Sequence, residues 1–226
     1  NLVFSSSCAT YGVAGTLPIR EDSPQTPINP YGRTKLMAEQ MIGDHAAAYG
    51  SSHVMLRYFN ACGADPEGEL AERHDPETHL IPRALMASAG IIPVLEILGD
   101  DYPTPDGTCI RDYIHVSDLA DAHVQAVQHL LRGGESLACN LGTGRGLSIR
   151  EIVDVVSLMT GRKVPTTVKP RRPGDPPELY ADAELVRRVL RFQPSRSDLA
   201  TIVRTAWQSM QTQWEAAARP VPRAAA

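Results

Sequence analysis

The sequence predicts an α/β protein built on a largely parallel sheet, and three observations carry that expectation. Short apolar runs alternate along the chain with longer segments of helical period. The helical segments carry start and stop signals: Asn29-Pro30 before one, Ser148-x-x-Glu151 before another, Gly50 and Gly161 behind them. With 42% hydrophobic residues in a chain of 226, there is enough apolar surface to bury a sizeable core.

Taken in order, residues 1–6 read as a short buried strand, and a Pro/Gly-rich loop follows over 12–29. Asn29 as N-cap and Pro30 at the first helical position open a helix that runs to Tyr49 and stops at Gly50. Residues 53–59 (HVMLRYF) read as a strand, and 60–77 as a charged loop where a domain crossing is best placed. A helix over 79–89 leads to a strand at 93–98; the turn-rich GDDYPTPDG precedes a strand at 110–116. The next helix is expected to start from Ser117 as cap, with Asp118 and Asp121 where the helix dipole favours acids, and to stop at Gly133-Gly134. A strand at 137–141, the Ser148 capping box with its helix, a strand at 164–169, a short helix from Asp182 and a last helix near 198–217 complete the series. The terminal RPVPRAAA, residues 219–226, is expected to be a disordered tail. The chain opens on Asn1-Leu2-Val3-Phe4, inside an apolar run and without an initiator Met, so upstream sequence is expected to be missing.

The formal charge of −4, with no block of like charge, argues against nucleic acid as a partner and leaves any anionic ligand to local arginines. No run of eighteen apolar residues exists, so no membrane span is expected. Cys8, Cys62, Cys109 and Cys139 are widely spaced with no C-x-x-C pair, which reads as four reduced thiols in a cytoplasmic protein rather than a zinc or redox site. His115 and His123, eight apart around a helix start, make a poor ligand pair, and no metal is expected.

The catalytic signal lies early in the chain. Tyr31 and Lys35 are four apart and share one helical face, and an ammonium beside a phenol favours the phenolate, the form a general base needs near neutral pH. Ser7 closes the first strand, where its hydroxyl could relay a proton or hold a substrate hydroxyl. A lone Tyr-x-x-x-Lys is usually a surface pair; the Ser run at a strand end and the N-P-Y-G-x-[ST]-K setting set this one apart.

SSSCATYG, NPYGRTKLMAEQ, LRYFNACGADP, GDDYPTPDGTCIRDYIHVSDLADAH, NLGTGRG and RRPGD follow one another from residue 5 to about 182, and in that order they resemble the UDP-glucose 4-epimerases, NAD-dependent members of the extended short-chain dehydrogenase/reductase superfamily. The resemblance implies the C-terminal part of a Rossmann-like parallel sheet plus a smaller α/β substrate-binding domain. Residues 1–62 would be the remnant of the NAD-binding domain and 63–218 mainly the UDP-sugar domain, with 110–133 packing back on the first. It implies that Tyr31 takes the proton of the sugar 4-hydroxyl while hydride passes from C4 to NAD, and that the 4-ketosugar turns and is reduced on its other face. UDP-galactose and UDP-glucose would thereby be interconverted. Lys35 would also touch the cofactor ribose, Ser7 would bridge substrate and Tyr31, and Phe59 would lie by the nicotinamide.

On the substrate side the resemblance implies Asn60, Leu80, the strand Glu96, Ile97 and Leu98 at the uracil, Arg111 and Arg172 at the diphosphate and Asp175 at the uridine ribose. Planar guanidinium forks suit phosphates better than ammonium groups do. His79 stands where some relatives have Asn. Leu179, four residues after RRPGD, occupies the position that gates room for an N-acetyl group, which leaves N-acetylated or pentose UDP-sugars open as substrates. Relatives pair as homodimers through two helices of the cofactor domain, and Met37, Ala38, Met41 and Ile42 would offer contacts.

Two features depart from the family pattern. The 226 residues contain no G-x-x-G-x-x-G loop, so the adenosine and pyrophosphate half of an NAD site has no residues and the fragment is expected to be inactive alone. Gly142-x-Gly144-x-Gly146 follows a strand and precedes a helix, but its third glycine comes one residue early and no acid follows at the ribose distance; a structural turn is the better reading. The 4,6-dehydratases share the Tyr/Lys pair but need an acid where Cys8-Ala9 stand. A non-catalytic UDP-sugar-binding remnant is the non-enzyme alternative.

Overall fold

In chain order the structure holds β1 (Leu2–Ser7), a single 3-10 turn (Cys8–Thr10), α1 (Pro30–Tyr49), β2 (His53–Tyr58), β3 (Asn60–Cys62), α2 (Leu80–Ser88), β4 (Leu95–Leu98), β5 (Ile110–His115), α3 (Val116–Leu131), β6 (Leu137–Leu141), β7 (Gly146–Ser148), α4 (Ile149–Thr160), β8 (Thr166–Lys169), β9 (Glu178–Leu179), α5 (Glu184–Leu190) and α6 (Leu199–Ala218). This is a computed structural model, and it describes residues 1–218; the expected disordered tail at 219–226 lies outside the described residues.

The capping signals act as their chemistry requires. The Asn29 side chain accepts the Gly32 N–H at 2.8 Å, Pro30 occupies the first turn of α1, and Gly50 ends it at φ 68. The Ser148–Glu151 box is reciprocal, and Gly161 closes α4 in the left-handed region. The start of α3 differs from expectation. β5 runs to His115, and the His115 imidazole rather than Ser117 caps the helix, accepting the Ser117 N–H through Nδ1 at 3.0 Å. The expected loop at 60–77 begins with a strand, β3, and the short strands β7 and β9 form only because β5 lies beside them.

β1, β2 and β6 form a parallel sheet, with Ser7 opposite Tyr58 and Leu56 opposite Cys139. Side chains alternate across its faces. Phe4 and Ser6 meet α1, through Lys35 and Glu39, whereas the Ser5 hydroxyl meets His123 of α3 at 2.8 Å. The sheet is therefore sandwiched between α1 and α3. A second group of strands is arranged around β5, which pairs with β3 and β9 in parallel and with β7 in antiparallel; β4 and β8 form a separate parallel pair.

Three apolar clusters hold these layers. One gathers Val54, Leu56, Ile114, Ala122, Ala126 and Leu141 between the first sheet, α3 and α5. Another packs α2, α4 and α6 through Ile81, Leu85, Ile152, Val156 and Ile202. Ile152 and Val156 are completely buried, each such side chain stabilising by about 1.5–3 kcal/mol relative to exposure. The smallest cluster joins Cys8, Tyr11, Ile19, Phe59 and Ala181, with Leu179 packed against it.

Candidate active site

Tyr31 and Lys35 lie in the first turns of α1, which packs beside the turn that follows Ser7 at the end of β1. Lys35 Nζ donates to the Ser5 carbonyl at 2.8 Å and lies 5.1 Å from the Phe4 ring centroid and 5.7 Å from that of Tyr31. The ammonium is thus held between a carbonyl and two aromatic faces, within cation–π range of both. Tyr31 keeps 52% of its surface exposed, so its ring is open to a ligand. Ser7 caps the 3-10 turn by accepting the Ala9 N–H, which leaves its own proton free to donate. Gly32 brings the two parts together: a Cβ there would overlap the Ala9 carbonyl, so only glycine lets α1 start this close to the turn after Ser7.

Behind this set lies a buried polar network absent from the sequence-based expectations. Glu39, two turns after Tyr31 on α1, accepts bonds from Arg57 Nη2 at 2.7 Å, Arg57 Nε at 2.9 Å, Ser6 Oγ at 2.5 Å and Gln25 Nε2 at 3.0 Å. Arg57 Nη1 donates to the Tyr11 hydroxyl at 2.9 Å, which in turn donates to Asn140. Burial pushes the Glu39 carboxyl up, but the donors from Arg57, Ser6 and Gln25 outweigh it and hold it below the ordinary value. The tie runs from α1 to the strand segment that carries Ser5, Ser6 and Ser7.

Beyond the sheet edge is a cleft of about 420 Å³, within the size range of small-molecule sites. It brings together Asn60, Leu80, Glu96, Leu98, Arg111, Arg172 and Asp175, with His79 at its wall. Asn60 connects it to the catalytic strands: Ser7 pairs with Tyr58, Phe59 follows, and Asn60 enters the cleft while its amide donates to the Asp112 carbonyl at 2.9 Å. Ile97 stands apart. The alternation of β4 exposes Glu96 and buries Ile97 to 2%. Phe59 and Leu179 also lie outside the cleft, in the small cluster beside Cys8. Arg111 is 12% exposed on its side chain and ion-paired to Asp175 at 2.5 Å, so two expected substrate groups hold each other. Arg172 is exposed.

A model of the NAD dependent epimerase/dehydratase family matches residues 1–142. The chain belongs to this family. It is 55% identical over 205 residues to a UDP-glucose 4-epimerase of Azospirillum brasilense, covering 91% of this chain and 59% of that protein. Among solved structures, UDP-glucose 4-epimerase from Brucella ovis in complex with NAD superposes with a TM-score of 0.88 at 65% identity, over 91% of this chain and 63% of that one. The Stenotrophomonas maltophila enzyme with bound NAD and formylated UDP-arabinopyranose gives 0.92 at 41% identity, over 96% and 65%. The chain thus spans about three-fifths of the length of the family members it matches.

Several family motifs have plain structural work. The Gly142–Gly146 loop folds around the fully buried Asp112: the Thr143 and Gly144 N–H groups and the Thr143 hydroxyl donate to its carboxylate at 2.9, 3.0 and 2.7 Å. Those amides are engaged by Asp112, and the space where a Cβ of Gly142 would sit holds its oxygen. His115 and His123 do not meet; His123 Nδ1 donates to the Leu119 carbonyl, leaving Nε2 to accept from Ser5, and His115 Nε2 pairs with Thr205 at 3.0 Å. All four cysteines are free and buried. Burial pushes the Cys8 thiol up to about 12, so the side chain at the position of a dehydratase acid is sequestered.

The structure also gathers Glu72, His74, Glu77 and His79, whose ligand atoms all lie within 4.8 Å of one another. In the sequence these four form E-x-H-x-x-E-x-H within a charged segment that lacks helical or strand period, so the local pattern alone does not indicate that they meet.

Proposed function

We propose that this chain is the acid–base and substrate-binding part of a UDP-glucose 4-epimerase, which interconverts UDP-galactose and UDP-glucose. The observation that carries this reading is the Lys35 ammonium held over the exposed Tyr31 ring at the end of the strand bearing Ser7. The names of the relatives and the NAD in the structural neighbours support it. In this reading NAD, when bound, accepts and returns the hydride of the sugar C4. Tyr31 takes and gives back the 4-hydroxyl proton, Lys35 holds its ammonium beside the Tyr31 ring, and Ser7 donates to the substrate hydroxyl. Arg111 and Arg172 grip the diphosphate, Asp175 the ribose, and Asn60, Leu80, Glu96 and Leu98 line the nucleotide-sugar cleft. Ile97 would contribute through its backbone, and Phe59 through the wall beside the nicotinamide.

The residues present fit only the nicotinamide–ribose end of NAD. The Gly142–Gly146 loop joins β6 to β7 and has its amides engaged by Asp112, so the 226 residues alone are expected to bind UDP without turning over sugar. We divide the chain at residue 62 into an NAD-side segment and a substrate-side segment, with α3 returning to the first. Exposed Met37 and Met41 on α1 support a homodimer, and four unpaired thiols a cytoplasmic setting. Leu179, half-buried beside Phe59, and the pentose nucleotide in the Stenotrophomonas relative keep N-acetylated or pentose UDP-sugars as a second reading.

The decisive test is Tyr31→Phe in the whole protein. Turnover should fall about a hundred- to ten-thousand-fold, the usual worth of a positioned acid–base group, with UDP affinity retained. Near-normal turnover in coupled UDP-galactose assays would reject Tyr31 as the base.

A further inference from the structure

We propose that Glu72, His74, Glu77 and His79 form a divalent transition-metal site, best suited to Zn²⁺, that staples residues 72–79 at the entrance of α2. Glu72 Oε1 lies 3.0 Å from His74 Nδ1 and 3.3 Å from His79 Nδ1. Glu77 approaches the same two nitrogens, Oε1 at 2.8 Å from His79 and Oε2 at 3.5 Å from His74. Four ligands in a tetrahedron around zinc, at bond lengths of about 2.0–2.2 Å, stand about 3.3–3.5 Å apart along each edge. Four of the six separations, at 2.8–3.5 Å, reach that spacing at their upper end, and all the ligand atoms lie within 4.8 Å of one another.

Hydrogen bonding accounts for part of this arrangement, since Glu77 Oε1 also accepts the His79 backbone N–H at 2.7 Å, but not for the convergence of both carboxylates on both rings. Each imidazole Nδ1 carries at most one proton, yet each faces two carboxylates. Among the described residues, neither Glu72 nor Glu77 has a Lys or Arg partner, although the Glu77 side chain is only 12% exposed. With neutral histidines the group holds two negative charges and two ring nitrogens turned inward. A single dication answers both the charge and the four lone pairs. Nitrogen and carboxylate ligands together favour zinc over the all-oxygen shells of Mg²⁺ or Ca²⁺.

The position gives the site a consequence. His79 is the N-cap of α2 and makes no side-chain cap bond, and Thr78, His79 and Leu80 form a wall of the cleft that holds Arg111 and Arg172. At the other end of the loop, Gln213 of α6 donates to the Glu72 carbonyl. A bound ion would tie this wall to the helical layer, as structural zinc does when four protein ligands close its shell.

The test is metal content, which is independent of the epimerase reading. The purified protein, stripped with chelator and titrated with Zn²⁺, should retain about one ion per chain through gel filtration. Co²⁺ in its place should give visible d–d bands of tetrahedral intensity, and excess Mg²⁺ should not displace it. His74→Ala and Glu72→Gln, checked for unchanged circular dichroism, should each weaken binding by more than roughly tenfold, the loss seen even for outer partners of metal ligands. Absence of tight Zn²⁺ or Co²⁺ binding by the unaltered protein would overturn the proposal. So would binding of equal strength in both variants, which would mark an adventitious ion.

Discussion

Glu39 and Arg57, 5% and 7% exposed on their side chains, are the ionised pair most withdrawn from water in the acid–base region. Arg57→Met would strand the Glu39 carboxylate, and loss of one partner of a buried pair costs about 3–5 kcal/mol. Chemical unfolding monitored by circular dichroism measures it. The same pair sets a pH response. The Glu39 carboxyl is held below its ordinary value in the fold, so its contribution is fully present above the unfolded value of about 4.3 and is lost as pH falls through the lowered folded value. Unfolding midpoints followed from neutral to acid pH should therefore fall less steeply in Glu39→Gln than in the unaltered protein. Such a pair was illegible in the sequence, because nothing local links position 39 to position 57. Tyr31 and Lys35 could be named together because four residues on one helix separate them, whereas Ser7 was named from its place at a strand end. Ile97 was named with its neighbours, yet the two-residue period of β4 separates its side chain from theirs.

At the scale of elements, α1 depends on Gly32 as much as on its caps. Gly32→Ala would force the first turn of α1 away from the Ala9 backbone and carry Tyr31 away from Ser7. In the whole protein, turnover should fall by at least about tenfold, a small positional error being enough to misalign reacting groups, while UDP binding at the distant arginines persists. Stopped coupled assays alongside UDP titration separate the two effects. Helix boundaries were largely readable, since Asn29, Pro30, Gly50, Ser148, Glu151 and Gly161 act through their immediate neighbours. The short strands β3, β7 and β9 were not, because two or three residues carry no period and become strands only through the backbone groups of β5. The cap of α3 moved for a related reason: β5 extends to His115, whose ring then lies where it can take the Ser117 amide.

For the molecule as a whole, α1 buries little beyond Gly32 and Glu39 and leaves Met37 and Met41 58% and 71% exposed. A helix with two large apolar groups in water invites a covering surface. If the homodimer forms there, Met37→Lys with Met41→Lys should halve the mass measured by light scattering while leaving the far-ultraviolet spectrum unchanged. An unaltered mass would remove this face from the interface.

β5 exchanges neighbours along its length, and that has a thermodynamic consequence for recognition. Ile110 and Arg111 are bonded on both edges, to β7 on one register and to β9 on the other, before Tyr113 passes to β3. The backbone under Arg111 has therefore surrendered its freedom during folding, a cost of about 1–2 kcal/mol per residue that an arriving ligand does not meet again. Under the proposed reading, a phosphate arriving at Arg111 would have to take the place of Asp175 at an already stationary guanidinium. Affinity at this position is thus governed by a swap of anions rather than by the ordering of chain.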